Sequence, residues 1–163
     1  MIKSSIAKTT YVKFAVVGLV GAGTTSFIQT VAEINEMENW GRLTIGHLTN
    51  EHIQVKLGLL PKAQDQWEIV LADKIGIVVL VDSTRPDQLP EIKALMQAVR
   101  RYSSAPFIVL ANKQDQPGAL SADTIRHRLS AGLDVPVMPC VAKDKASITR
   151  VLHELTDWAQ VKK

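Results

Sequence analysis

Cysteine is almost absent from these 163 residues: Cys140 stands alone. No intramolecular disulfide can form and zinc sites built on paired cysteines are excluded, which suits a reducing, cytoplasmic setting. Long apolar runs are also missing. The longest, such as residues 75–81 (IGIVVLV), reach about a third of what a membrane span needs. The start, MIKSSIAKTT, lacks an apolar secretion core and a glycine after Met1, and the end, QVKK, lacks a prenylation cysteine, so no direct membrane anchor is expected. Runs of one charge are absent too. Lys and Arg number 19 against 16 Asp and Glu, and the net +3 is scattered along the chain, which excludes a dedicated nucleic-acid binder. There is no internal repeat, low-complexity tract or linker. What remains is a chain with 46% hydrophobic and 21% charged residues, expected to form one folded domain over 1–163, with 1–10 as a loose N-terminal segment.

The order of patterns along the chain sets the fold class. Residues 11–18 (YVKFAVVG) read as a strand breaking into glycines, and residues 24–33 carry helical spacing through Phe27, Ile28 and Val31. Residues 42–48 and 53–60 flank the polar turn Thr49-Asn50-Glu51 and suit a hairpin. Residues 75–81 form a continuous apolar strand, residues 89–102 a helix, residues 106–111 (PFIVLA) another buried strand. Ser121 is placed to cap a helix running to Leu129; residues 135–139 give a short strand and residues 147–158 a last amphipathic helix. About six strands alternate with four or five helices. That is an α/β protein with a mainly parallel sheet, helices on both faces and an antiparallel hairpin at one edge, whose ligands belong at the carboxyl ends of the strands.

Three motifs fall at such ends. The first, GLVGAGTT from Gly18 to Thr25, follows a strand and opens a helix. It is nearly GxxxxGK[ST], in which backbone N–H groups cradle phosphates, a lysine reaches the terminal ones and a hydroxyl holds Mg²⁺. Thr24 occupies the lysine position. The same glycines also read as GxGxxS over Gly21, Gly23 and Ser26, close to a dinucleotide-binding turn, so this stretch alone leaves both open. The second motif, Asn112-Lys113-Gln114-Asp115, ends the PFIVLA strand. Its aspartate can accept from the N1–H and exocyclic amine of guanine, donors that adenine lacks, with the asparagine beside the base and the lysine stem stacked on it. The third, Cys140-Val141-Ala142-Lys143, follows the sixth strand; the Ala142 N–H is available for the guanine carbonyl and Lys143 for covering the ring.

Taken together, these motifs make the chain resemble the small GTPase family in the broad Ras-like group. The stretch FIVLANKQDQPGALSADTI is similar to Arf-type proteins and VVLVDSTRPDQLPEIKALM to bacterial proteins of the MglA kind. The resemblance implies a P-loop small-GTPase fold with a six-stranded sheet, and GTP or GDP with Mg²⁺ as the ligand. It implies Gly18, Gly21, Ala22, Gly23, Thr24, Thr25 and Ser26 around the phosphates, Thr25 at the metal, and Asn112, Lys113, Asp115, Ala142 and Lys143 around guanine. Protein partners are implied, roadblock-type dimers among them.

The phosphate end departs from the family pattern. Loss of the lysine at Thr24 removes a charge-assisted contact worth about 1.5–3 kcal/mol, or roughly tenfold to a hundredfold in affinity. The family's DxxG, which links metal and γ-phosphate, falls on residues 59–62 (LLPK), and the water-orienting glutamine on Ala63, with Gln64 one place further. The first-switch threonine falls near Glu38 or Asn39, since Thr44 lies inside the strand. Intrinsic GTP hydrolysis is therefore expected to be negligible, while Lys62 is a candidate substitute cation. The chain reads as a guanine-nucleotide-binding regulator working through protein contacts, with a nucleotide-free pseudo-GTPase scaffold as the alternative. A dinucleotide oxidoreductase fits poorly, because no acidic residue ends the second strand. Trp40 and Trp67, in the switch-like regions, are expected as partner anchors, Trp158 and Cys140 as buried residues, and His47, His52, His127 and His153 lack metal-ligand spacing.

Overall fold

Strand β1 (Thr9–Gly18) divides its side chains between two cores. Val12, Phe14 and Val16 enter one, Ala15 and Val17 the other, as the period-two pleat of a strand covered on both faces requires. The computed structural model describes residues 9–38, 43–44 and 52–162. Over these, five more strands follow: β2 (Leu43–Thr44), β3 (His52–Leu59), β4 (Gly76–Asp82), β5 (Phe107–Asn112) and β6 (Val137–Pro139). They form one sheet in the order β2-β3-β1-β4-β5-β6. All pairings are parallel except that of β2 with β3 at the edge. The expected architecture is therefore present.

Helices α1 (Thr24–Glu38) and α5 (Lys145–Lys162) cover the first face, inserting Phe27, Ile34, Ile148, Val151, Leu152 and Leu155 over Val78, Leu80, Ile108 and Leu110. Helices α2 (Trp67–Leu71), α3 (Leu89–Arg100) and α4 (Ala122–Leu129) cover the second, over Ile77, Val79, Val81, Val109 and Ala111. Every residue of β4 and β5 is buried, which explains why both read as unbroken apolar runs. Ser121 caps α4 as expected, its hydroxyl accepting the Thr124 N–H.

Several boundaries move for identifiable reasons. β1 begins at Thr9, within the segment expected to be loose, because Thr9 and Thr10 pair with His52 and Ile53. α5 begins ahead of Ser147 because Asp144 starts it: the Asp144 carbonyl accepts the Ile148 N–H and its carboxylate the Ala146 N–H. Ser147 instead accepts the Val141 N–H and fixes the loop after β6. The pairing of Leu43 with Ile53 and Thr44 with His52 is antiparallel, as a hairpin requires; its expected turn, with Trp40 and His47, lies outside the described residues. α2 was absent from the sequence reading, five residues being too few for a helical period to show.

β1 lies between β3 and β4, so the chain leaves it toward opposite sides of the sheet. This is a topological switch point, and the glycine turn sits at its carboxyl end.

Candidate functional site

The glycine turn joins β1 to α1 through backbone bonds from Ala22 N to Leu19 O and from Phe27 N to Gly23 O. Gly21 and Gly23 have φ of +87° and +100°, a region costly for any residue with a Cβ. Gly23 has a second constraint: a Cβ there would lie 2.3 Å from Asn112 Nδ2. The turn is pressed directly onto the end of β5.

Asn112 is buried and both ends of its amide bond the protein. Nδ2 donates to Ala22 O at 2.8 Å, and Oδ1 accepts the Ala142 N–H at 2.8 Å and the Cys140 thiol at 3.7 Å. One side chain thus ties together the three motifs. Asn112, expected beside the base, lines the cleft and also knots the loops around it, and the Ala142 N–H, expected to meet the guanine carbonyl, bonds Asn112 Oδ1 in this structure. The αL backbone of Lys113 (φ +66°) then turns the chain so that Lys113 and Asp115 border a cleft of about 290 Å³. Gly23, Ser26, Thr84, Ala142 and Lys143 complete its walls. That volume is at the small end for a ligand pocket and suits a base. The Asp115 carboxylate is exposed at its mouth, with no hydrogen-bond or ion-pair partner among the described residues.

Lys113 Nζ reaches Asp82 Oδ2 at 2.9 Å, while Thr84 gives Asp82 Oδ1 both its N–H and its hydroxyl, at 2.9 and 2.6 Å. Burial pushes the Asp82 carboxyl up, but the bonds from Thr84 and Lys113 outweigh it and hold the group below its ordinary value. Asp82 and Thr84 were missed in the sequence; the signal available was their place just past a buried strand, where ligands bind. Gln114 was unassigned there. It braces the loop by donating to Ser83 Oγ and Leu120 O. Thr30 does the same from α1 through Ala142 O. Burial pushes the Cys140 thiol up to about 12, so it is a neutral packing group, as expected.

The phosphate end is a second cleft of about 570 Å³ on the other side of the glycine turn. Gly18, Gly21, Thr24 and Thr25 border it, whereas Ala22 is buried and Gly23 and Ser26 face the base cleft, so the expected phosphate set is split between the two. The opposite wall is Leu59, Leu60, Pro61, Lys62, Gln64 and Trp67. Among its described lining residues none is acidic. Thr25 offers an exposed hydroxyl at this cleft, the group that the sequence places for Mg²⁺ on a bound nucleotide. No group of three His, Cys, Asp or Glu that could hold a metal occurs among the described residues.

Trp67 overturns its expected role as a partner anchor. It is buried, donates Nε1–H to Pro61 O at 2.6 Å and meets Tyr102 edge-on at 5.6 Å. An aromatic with an N–H handle is buried here because the backbone carbonyl satisfies it. Trp158, expected in the core, packs on Phe14 at 5.9 Å.

Comparison with known proteins places this geometry. The model of the ADP-ribosylation factor family matches residues 1–159. ADP-ribosylation factor-like protein 4D of Homo sapiens is 32% identical over 158 residues, covering 86% of this chain and 79% of that protein. ADP-ribosylation factor-like protein 8b of Arabidopsis thaliana is 31% identical over 156 residues, covering 90% and 84%. Among solved structures, the Arl6 BBS3 small GTPase from Trypanosoma brucei, with bound nucleotide analogue GppNp, shares the fold with a TM-score of 0.68 at 20% identity, covering 94% of this chain and 100% of that one.

Proposed function

The chain belongs to the ADP-ribosylation factor family of small GTPases, nucleotide-binding regulators, and from that premise we propose that it binds guanine nucleotide with little or no intrinsic hydrolysis. One observation carries this reading: the two ends of the nucleotide cleft are unequally equipped. At the base end an unpartnered Asp115 carboxylate faces a base-sized cleft, matched to the paired donors of guanine. At the phosphate end the lysine, the metal-linked acid and the water-orienting glutamine are replaced by Thr24, Leu59 and Ala63. Phosphoryl transfer depends almost wholly on positioning and charge stabilisation, so such a site holds a nucleotide without accelerating its hydrolysis. Magnesium, on this reading, enters weakly and on the nucleotide's own phosphates.

Regulation then works through protein contacts in the cytoplasm, with a roadblock-type dimer as the partner class to try first. Calorimetry with GDP, GTP and ATP in the presence of Mg²⁺ tests the reading. Heat with GDP and GTP but not ATP is expected; no heat with any of them overturns it. Mass spectrometry of freshly purified protein gives the same answer through co-purified GDP. The pinned Trp67 and a phosphate end without the P-loop lysine favour a second reading, a scaffold that binds no nucleotide, which the silent calorimetry would select.

A further inference from the structure

Asp82 and Thr84 lie outside the motifs read from the sequence, yet Thr84 lines the base cleft and Asp82, ending β4, bonds both Thr84 and the cleft residue Lys113. Asp82 is only 7% exposed, and both its oxygens are engaged, one by Thr84 and the other by Lys113. Thr84 and Lys113 themselves line the cleft. A lysine stem that is to serve as one wall of a base site must be held in place, because a free lysine samples many rotamers and loses them when a ring docks. Here the ammonium is drawn sideways onto a fixed carboxylate. Its methylenes are left as the surface offered to a ring, and its charge is spent within the protein.

We propose that Asp82 is a positioning residue for nucleotide binding: braced by Thr84, it latches Lys113 so that the lysine stem forms a preset wall against the face of a purine. This rests on the guanine-nucleotide reading above and deepens it, since it assigns ring stacking to Asp82–Lys113 and edge recognition to Asp115. Stacking acts on the ring face. The latch should therefore act equally on guanine and hypoxanthine, which differ only in the 2-amino group read by Asp115.

Dissociation of a fluorescent GDP and its inosine counterpart tests the latch. Asp82→Asn keeps an oxygen for Thr84 but cannot accept from Lys113. It is expected to speed release of both nucleotides by about tenfold and by the same factor. In a Lys113→Met background, which keeps an apolar stem without the ammonium, adding Asp82→Asn should change release by less than about twofold. Thr84→Val, a milder loosening of the same brace, should speed release about threefold. An unchanged rate in Asp82→Asn, or a tenfold change that persists with Lys113→Met, overturns the latch, the latter by showing that Asp82 acts through the fold. If the wild-type protein retains neither nucleotide, it is the guanine reading beneath the latch that fails.

Discussion

The two ends of the cleft are built by different means. The base end is held by side-chain hydrogen bonds between residues far apart in sequence: Asn112 with Ala22 and Ala142, Gln114 with Ser83, Lys113 with Asp82. The phosphate end is held by bonds to backbone carbonyls and by aromatic contact: Leu60 N bonds Val16 O, and Trp67 donates to the carbonyl of nearby Pro61 and packs on Tyr102. Recognising a base needs directional donors and acceptors in a rigid frame, whereas sensing and splitting a terminal phosphate needs charge placed where charge develops. On the proposed function, the first requirement is met here without the second. On that reading the two tasks are separable within one fold.

The harshest way to break the contrast is to damage the glycine that presses the turn onto Asn112. Gly23→Ala puts a Cβ 2.3 Å from Asn112 Nδ2 at a φ of +100°. Backbone strain of about 1–3 kcal/mol and a displaced buried amide worth about 1–3 kcal/mol should together cost about 2–6 kcal/mol of stability and abolish nucleotide binding. Denaturant unfolding and calorimetry measure the two; a near-neutral variant would mean that Asn112 is not the knot. Asp115→Ala should be cleaner. The side chain is exposed and unpartnered, so stability should hold while GDP affinity falls about a hundredfold, equivalent to about 2.7 kcal/mol for two hydrogen bonds to a charged acceptor. GDP and ADP should then bind alike in competition; retained preference for GDP would place base recognition elsewhere.

The sequence carried the fold because β4 and β5 are buried on both faces and thus appear as uninterrupted apolar runs, and because Ser121 caps α4 with its own side chain. The position of Asp115 was legible for the same reason: it follows a strand whose end could be read. The roles of Asn112 and Asp82 were not legible, since each is defined by partners 90 and 31 positions away that no local pattern announces. Trp67 misled because an aromatic in a short non-periodic segment looks exposed; its burial depends on a carbonyl at Pro61 and a ring at Tyr102.

Thr24→Lys sharpens the comparison from the other side. With a Cβ placed on Gly18, the Thr24 methyl would be only 2.9 Å away, so the threonine turns inward where a lysine would extend over the turn. Restoring the cation should raise GTP affinity about tenfold, close to 1.4 kcal/mol. Single-turnover assays should still find no hydrolysis, because Leu59 and Ala63 remain. A variant that hydrolyses GTP would show that the lysine alone was limiting and that the remaining substitutions are harmless.

The smallest effect is expected from Lys62→Ala. Lys62 borders the phosphate cleft with Thr24 and is the one cation among its described lining residues, so by position it is the candidate substitute for the missing lysine. Its side chain is solvent-exposed, however, and an exposed ammonium is screened by water and salt and must be ordered before it can act. GTP affinity should therefore change by no more than about twofold, within the range of exposed ion pairs. The measurement gains force beside Thr24→Lys. If Lys62 did reach the phosphates, its removal would cost tenfold or more in the native chain and far less once position 24 carried a lysine, because two cations competing for the same oxygens do not add. Equal and small effects in both backgrounds leave the phosphate end without a working cation, which is the asymmetry that the base end has to offset.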